Sequence, residues 1–153
     1  LHYPLRRQRQ MCIRDGIASI DRALAFHADA PDSAFETLRR LGGRELAAIA
    51  GAVLRARQLG VPVLLDGFIS CAAIAPLVAQ VPAFADHCLA GHCSAEPGHG
   101  LLLEKMSLEP LLRLDMRLGE GSGAAVAANI VRAAVAAHSG MATFAEAAVS
   151  TAT

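Results

Sequence analysis

The chain has 153 residues, which is long enough for one domain with a buried core. Its 14 basic and 14 acidic residues cancel, and only 4% of the residues are aromatic, so neither charge nor stacking indicates nucleic acid as a partner. Although 54% of the residues are hydrophobic, no apolar run approaches about 18 residues without a charge or a turn former, so neither a membrane span nor a signal peptide is expected.

The N-terminal part of the chain consists of two segments with different sequence patterns, residues 1–16 and residues 17–28. Residues 1–16 carry four arginines and no apolar periodicity, so we expect a disordered tail or a foreign leader there. Over residues 17–28 apolar side chains recur at helical spacing and predict an amphipathic helix. After a break, Asp32 or Ser33 can cap a short helix, and a second long helix is predicted over residues 44–59.

Two short apolar runs predict β-strands. Residues 61–65 follow a helix and a glycine, which is typical of a strand buried on both faces of a parallel sheet. A helix is predicted over residues 68–78, and a second strand over residues 87–91. Residues 111–118 have alternating apolar side chains but follow Pro110, so the pattern leaves a strand and a helix open.

The remaining helices complete an α/β pattern. One helix is predicted from the end of the loop at residues 92–99 to residue 105, and another over residues 124–137. A last turn of helix is predicted at residues 144–149. The order of elements predicts a Rossmann-like parallel sheet flanked by helices, with helices at the C-terminus. Loops at residues 66–67, 92–99 and 119–123 then follow strands or strand-like segments. Because ligands bind at the carboxyl edge of such sheets, we expect these three loops to form one site.

The segment from Leu118 to Ala124 has glycine at positions 119, 121 and 123, with Glu120 and Ser122 between them. Glycine permits tight turns and close approach to a ligand, and the helix that follows would offer free amides to an anion such as phosphate. Ser122 is equally suited to capping that helix. The glycine spacing matches neither a dinucleotide fingerprint nor a phosphate loop with lysine, and a carboxylate in this place indicates chemistry.

The histidines and cysteines are weak candidates for a metal site. His87 with Cys88 and His92 with Cys93 are paired five residues apart, but a strand would point successive side chains to opposite faces. We expect no bound metal. The four cysteines, Cys12, Cys71, Cys88 and Cys93, are interpreted as free thiols of a cytoplasmic protein.

Four segments together resemble the nicotinate-nucleotide–dimethylbenzimidazole phosphoribosyltransferase family. These are LGGRE at residues 41–45, VPVLLDGF at 61–68, AGHCSAEPG at 90–98 and MRLGEGSGA at 116–124. The resemblance runs from about Ile17 to the C-terminus. It implies an α/β domain that is the C-terminal part of a longer enzyme, with residues 17–153 inside the family and residues 1–16 outside it.

The resemblance also implies an activity and roles for residues. Members of the family transfer the phosphoribosyl group of nicotinate mononucleotide to 5,6-dimethylbenzimidazole, which gives α-ribazole 5′-phosphate and nicotinate for the lower ligand of cobalamin. No metal or organic cofactor takes part. Glu120 is expected to be the catalytic base. The other expected substrate-binding residues lie in the three loops: Asp66, Gly67, Ser94, Leu118, Gly119, Gly121, Ser122 and Gly123.

Some of these residues also have structural interpretations: Ser94 as a helix cap, Asp66 as a turn residue and Leu118 as core. The resemblance implies a homodimer for the complete enzyme, and we expect the isolated chain to have little or no activity. The alternative function is a non-catalytic α/β domain that binds a phosphorylated ligand or partner through the same loops.

Overall fold

The computed structural model describes residues 3–149, with the backbone alone for residues 3–12 and side chains from residue 13 onward. Within these residues three α-helices come first, and three β-strands then alternate with three further α-helices. They are α1 (Tyr3–Phe26), α2 (Ala34–Thr37), α3 (Gly43–Gln58), β1 (Val63–Leu65), α4 (Phe68–Gln80), β2 (Cys88–His92), α5 (His99–Lys105), β3 (Pro110–Leu112) and α6 (Ser122–Gly140). Residues 1–2 of the predicted leader and residues 150–153 of the predicted domain lie outside the described residues.

The three strands form one parallel sheet in the order β1-β2-β3. Leu65 pairs with Ala90, and His92 pairs with Leu112, so the three strands end at a common edge. The predicted parallel α/β architecture is therefore confirmed. Residues 111–118, for which the pattern left strand and helix open, begin within β3 and continue as irregular backbone.

The core lies between the sheet and the helices α3, α4 and α5. Its fully buried members include Leu65 from β1, Cys71 and Ile74 from α4, and Leu103 from α5. Helix α6 packs on the other face of β2, where Gly91 approaches its backbone, but Leu64 is only half-buried. The predicted burial of the first strand on both faces is thus incomplete in this chain, because α6 covers only part of the second face.

The N-terminal helices begin and end differently from the prediction. The helix expected over residues 17–28 is longer, because α1 runs without interruption from Tyr3 to Phe26 and includes most of the expected leader. Ser33 caps α2, and its Oγ accepts a hydrogen bond from the Glu36 amide at 3.1 Å. Of the C-terminal segment, residues 144–148 form hydrogen-bonded turns in place of the predicted turn of helix.

The short α2 segment is held by one carboxylate with two arginine partners. Glu36 accepts hydrogen bonds from Arg39 at 2.8 Å and Arg40 at 2.7 Å, and these bonds lower the pKa of Glu36 from 4.5 to about 2. A depressed folded pKa means that the pair stabilises the fold above about pH 4.5, and that this stabilisation is lost as the pH falls toward 2.

We therefore expect the melting temperature of Glu36→Gln to lie below that of the parent at pH 6, and the difference to shrink as the pH is lowered toward 2. Thermal unfolding followed by circular dichroism between these pH values measures the difference. A gap that stays constant across the range would contradict the role given to this carboxylate.

Membrane insertion has no support in the helices. None of those within residues 3–149 combines the length and the apolar character that crossing a membrane requires.

Candidate active site

The three predicted loops meet at the carboxyl edge of the sheet, as expected. They line a cavity of about 590 Å³, to which Asp66 and Gly67 contribute from the end of β1, Ser94 from the loop after β2, and Gly119 to Gly121 from the segment before α6. Helices α3 and α4 complete the walls with Ile49 and Phe68, among others. The edge of the sheet therefore brings together three loops that are separated in the sequence by helices and strands.

The glycine loop makes a left-handed turn at three successive residues. The φ angles of Gly119, Glu120 and Gly121 are 79°, 57° and 77°. Glycine adopts this conformation without strain, whereas for other residues it costs about 1–2 kcal/mol. A glutamate is thus held in a costly backbone conformation, on a residue that lines the cavity. Strain of this kind is concentrated at functional positions.

Asp66, which follows β1, caps the N-terminal end of α6 with its side chain. One carboxylate oxygen accepts a hydrogen bond from the Ala124 amide at 2.9 Å, and the other accepts one from the Gly121 amide at 3.3 Å. Asp66 lies in the turn between β1 and α4, and its carboxylate in addition bonds to the start of α6. The negative charge also lies at the positive end of the helix, where it is stabilising. Two of the amides that we expected to bind phosphate are engaged by this carboxylate.

We expect Asp66→Asn to lower the free energy of unfolding by about 1–2 kcal/mol, because it replaces a charged acceptor of two amides with a neutral one. Urea denaturation measures the change, with Asp86→Asn as the control, since Asp86 is an exposed aspartate outside the cavity. Equal stability of Asp66→Asn and the control would show that the cap contributes nothing.

Gly123 is in close contact with His92, which lines the cavity. His92 is only 2% exposed, and a Cβ atom at position 123 would overlap its imidazole ring. The Nε2 atom of His92 lies 3.7 Å from the Asp66 carboxylate, while its buried Nδ1 has no hydrogen-bond partner among the described atoms. Glycine at position 123 is therefore required by packing, and His92 belongs to the site.

Ser94 lines the cavity beside a second buried histidine. Its Oγ lies 2.9 Å from Nδ1 of His99, the first residue of α5. Ser94 does not cap that helix, whose N-cap is Gly98.

Three of the expected substrate-binding residues do not line the cavity: Leu118, Ser122 and the buried Gly123. Leu118 is 76% exposed and does not line the cavity. In this chain it is therefore neither part of the cavity wall nor part of the core. Ser122 is the first residue of α6 and follows the N-cap Gly121, so it is not the cap. Its Oγ is buried with no hydrogen-bond partner in the part of the chain that the structure describes.

The cavity also contains charged residues that the sequence did not single out. Glu45 from α3, Glu96 from the loop after β2 and Arg117 line it together with Asp66 and Glu120. The lining thus has four carboxylates and one guanidinium. Such a surface favours a positive charge near the acids, with one place for an anionic group beside the arginine.

A metal centre has no geometric support. Among the residues whose side chains are described, no three His, Cys, Asp or Glu groups lie close enough together to hold a metal ion. Cys71, Cys88 and Cys93 are free thiols, as predicted, while the side chain of Cys12 lies outside the described residues.

The parallel sheet, the glycine loop and the acid-lined cavity define the class of an α/β domain with a candidate site at the carboxyl edge of its sheet, and comparison with known proteins gives the family. A family model described as phosphoribosyltransferase matches residues 10–149. This chain belongs to that family. The match begins at residue 10, inside the segment that we expected to lie outside the family.

Similar proteins agree with this assignment. A nicotinate-nucleotide–dimethylbenzimidazole phosphoribosyltransferase of Novosphingobium aromaticivorans is 71% identical over 133 residues, which are 87% of this chain and 39% of that protein. A protein of the same name from Rhizobium meliloti is 58% identical over 134 residues, or 88% of this chain and 40% of that protein. The resemblance inferred from the sequence is confirmed.

A solved structure supports the fold. The crystal structure of the nicotinate-nucleotide–dimethylbenzimidazole phosphoribosyltransferase from Thermus thermophilus superposes with a TM-score of 0.72 at 45% identity, over 78% of this chain and 36% of that one. The chain therefore spans about two-fifths of the length of the curated relatives that it matches.

Proposed function

We propose that this chain forms part of a pentosyltransferase that moves the phosphoribosyl group of nicotinate mononucleotide to 5,6-dimethylbenzimidazole. The products are α-ribazole 5′-phosphate and nicotinate. The observation that carries the proposal is the position of Glu120, a strained residue that lines the same cavity as Asp66 and Ser94. The names of the similar proteins support the choice of substrates.

In the proposed reaction Glu120 is the general base. One ring nitrogen of the benzimidazole attacks the anomeric carbon, and the bond from that carbon to the nicotinate nitrogen breaks with its electron pair moving to the nicotinate ring. The proton on the second benzimidazole nitrogen passes to the Glu120 carboxylate. Attack opposite the leaving group converts the β-linked ribotide into an α-linked one. Since nicotinate leaves from a quaternary nitrogen, no general acid is needed.

The charges around the cavity suit this chemistry. The anomeric carbon becomes more positive as the bond to nicotinate breaks, and the carboxylates of the lining stabilise that charge. Arg117 is the group of the lining that would balance the phosphate or carboxylate of the nucleotide. In this proposal Ser94 donates its hydroxyl to the phosphate, and Gly67 and the glycine loop approach the ribotide.

The proposed enzyme uses no metal or organic cofactor and works as a homodimer in the cytoplasm. The apolar side chains that line a groove between α6 and the sheet, including Leu89, Leu111, Ile130 and Val135, would be covered by a second subunit. The three free cysteines of the described region suit a reducing compartment. Light scattering after gel filtration measures the assembly.

The function is tested with the chain and with a chimera in which residues 10–149 replace the matching segment of the Novosphingobium relative. Each is incubated with nicotinate mononucleotide and 5,6-dimethylbenzimidazole, and the products are separated by chromatography. We expect α-ribazole 5′-phosphate from the chimera. A chimera that folds and leaves both substrates unchanged would contradict the proposal.

The non-catalytic alternative predicts a different result. A binding domain would take up nicotinate mononucleotide in a calorimetric titration, would consume none of it, and would bind it equally well after Glu120→Ala. Titration and chromatography on the same samples separate the two functions.

A further inference from the structure

A buried histidine holds the loop that carries Ser94. His99 is completely buried at the start of α5. Both the backbone amide and the hydroxyl of Ser94 lie 2.9 Å from its Nδ1 atom. The other ring nitrogen, Nε2, lies 3.4 Å from the Sγ atom of Cys71 in α4. The imidazole therefore joins the loop after β2 to the core.

The amide contact fixes the protonation of the ring. A backbone N–H can only donate a hydrogen bond, so Nδ1 must accept it and carries no proton. The ring hydrogen is consequently on Nε2, from which it points to the sulfur of Cys71. An imidazolium, which carries a proton on Nδ1, could not accept the hydrogen bond from the Ser94 amide.

The surroundings of His99 favour the neutral form of its ring. Burial lowers the pKa of His99, and the nearby His92 lowers it further, while the Asp66 carboxylate acts in the opposite direction. Burial raises the pKa of the Cys71 thiol to about 12, so the sulfur remains protonated and uncharged. His92 on β2, Cys71 on α4 and Asp66 after β1 are the titratable groups that influence His99.

We propose that His99 is a positioning residue of the transferase: its neutral ring holds the Ser94 backbone at the cavity wall while the Ser94 hydroxyl turns from Nδ1 to the phosphate of the nucleotide. The inference rests on the proposed function, because it assumes a phosphorylated ligand in the cavity. The hydrogen bond from the Ser94 amide to Nδ1 is kept with and without the nucleotide, so the loop keeps its place when the hydroxyl changes partner.

The same contacts argue against a serine nucleophile. In a catalytic serine–histidine pair the ring must take up the hydroxyl proton and be steadied by an acceptor on its far side. Here Nδ1 already accepts the Ser94 amide, and the far nitrogen meets a neutral thiol. His99 is arranged to hold Ser94, and not to deprotonate it.

The protonation state is tested first, on the full chain without ligand. Two-dimensional nitrogen spectra of the ¹⁵N-labelled protein distinguish a bare Nδ1 from a protonated one. We expect His99 to show the form with hydrogen on Nε2 alone, and the Nδ1 signal to shift when nicotinate mononucleotide is added. A ring protonated at Nδ1, with or without Nε2, would overturn the proposal.

Two variants separate positioning from packing. His99→Asn keeps an acceptor at the place of Nδ1, whereas His99→Gln moves it to the place of Nε2. Both should lower the melting temperature, but only His99→Gln should weaken binding of nicotinate mononucleotide, by about five- to tenfold, as expected for one lost hydrogen bond. Binding is measured by titration in the chain and in the chimera.

Equal binding losses in the two variants, or none in either, would contradict the positioning role. If neither the unsubstituted chain nor the unsubstituted chimera binds nicotinate mononucleotide, the proposed function fails. The nitrogen spectrum of the free chain still decides whether His99 holds Ser94 through Nδ1, so the two failures are distinguishable.

Discussion

Glu120→Gln should lower the rate of α-ribazole 5′-phosphate formation by about 10²- to 10⁴-fold, which is the usual contribution of a general base. Glutamine keeps the size of the side chain and its place in the cavity but cannot take the proton from the attacking heterocycle. Since substrate binding is retained, the loss should appear in kcat, with KM changed by only about threefold. Steady-state kinetics of the chimera measure both constants.

The matched control for this change is Glu104→Gln. Glu104 is an exposed glutamate on α5 and does not line the cavity, so its replacement should leave the kinetics unchanged. Turnover of Glu120→Gln close to that of the control would remove Glu120 from the mechanism. The candidates for the base would then be the three other carboxylates of the cavity, Glu45, Asp66 and Glu96.

Gly123→Ala should lower the free energy of unfolding by about 1–3 kcal/mol, as overpacking of a buried site does. The added methyl group would overlap the ring of His92, which is itself buried. Either the ring would turn toward the cavity that it lines, or helix α6 would move from the sheet and lengthen the hydrogen bond from the Ala124 amide to Asp66. Urea denaturation measures the loss, and titration with nicotinate mononucleotide measures its effect on the cavity.

Gly51→Ala is the control for this substitution. Gly51 lies within α3, where a Cβ atom would meet nothing within 4 Å, so alanine should stabilise the chain by roughly 0.5–1 kcal/mol. Opposite signs for the two glycines are the expected result. If Gly123→Ala is as stable as the parent, the contact with His92 is not a constraint on this helix.

The fold was predictable where local patterns decide it. The apolar runs that end near Asp66 and His92 predicted the first two strands, and the capping serine at position 33 predicted the start of α2. Residues 111–118 remained open because only three residues of this region, Pro110–Leu112, join the sheet. The true start of α1 was missed because the helix begins in a polar segment with no apolar periodicity.

The site was predictable to the level of loops but not of contacts. Parallel strands end at one edge, so the meeting of the three loops followed from topology alone. The bonds of Asp66 to amides 55 and 58 residues away leave no local pattern. His92 and His99 are the two ends of the loop predicted over residues 92–99, yet both are buried in the structure. Their burial could be seen only after the helices were placed.

The left-handed backbone conformation of Glu120 lowers the stability of the fold at a residue that the proposed mechanism needs. Glycine at this position would relieve about 1–2 kcal/mol of conformational cost, so mutation toward glycine is favoured by stability alone. In the proposed mechanism the acid is needed there for the proton that its side chain accepts. Laboratory evolution for thermal tolerance, without a screen for turnover, would therefore be expected to erase this residue early.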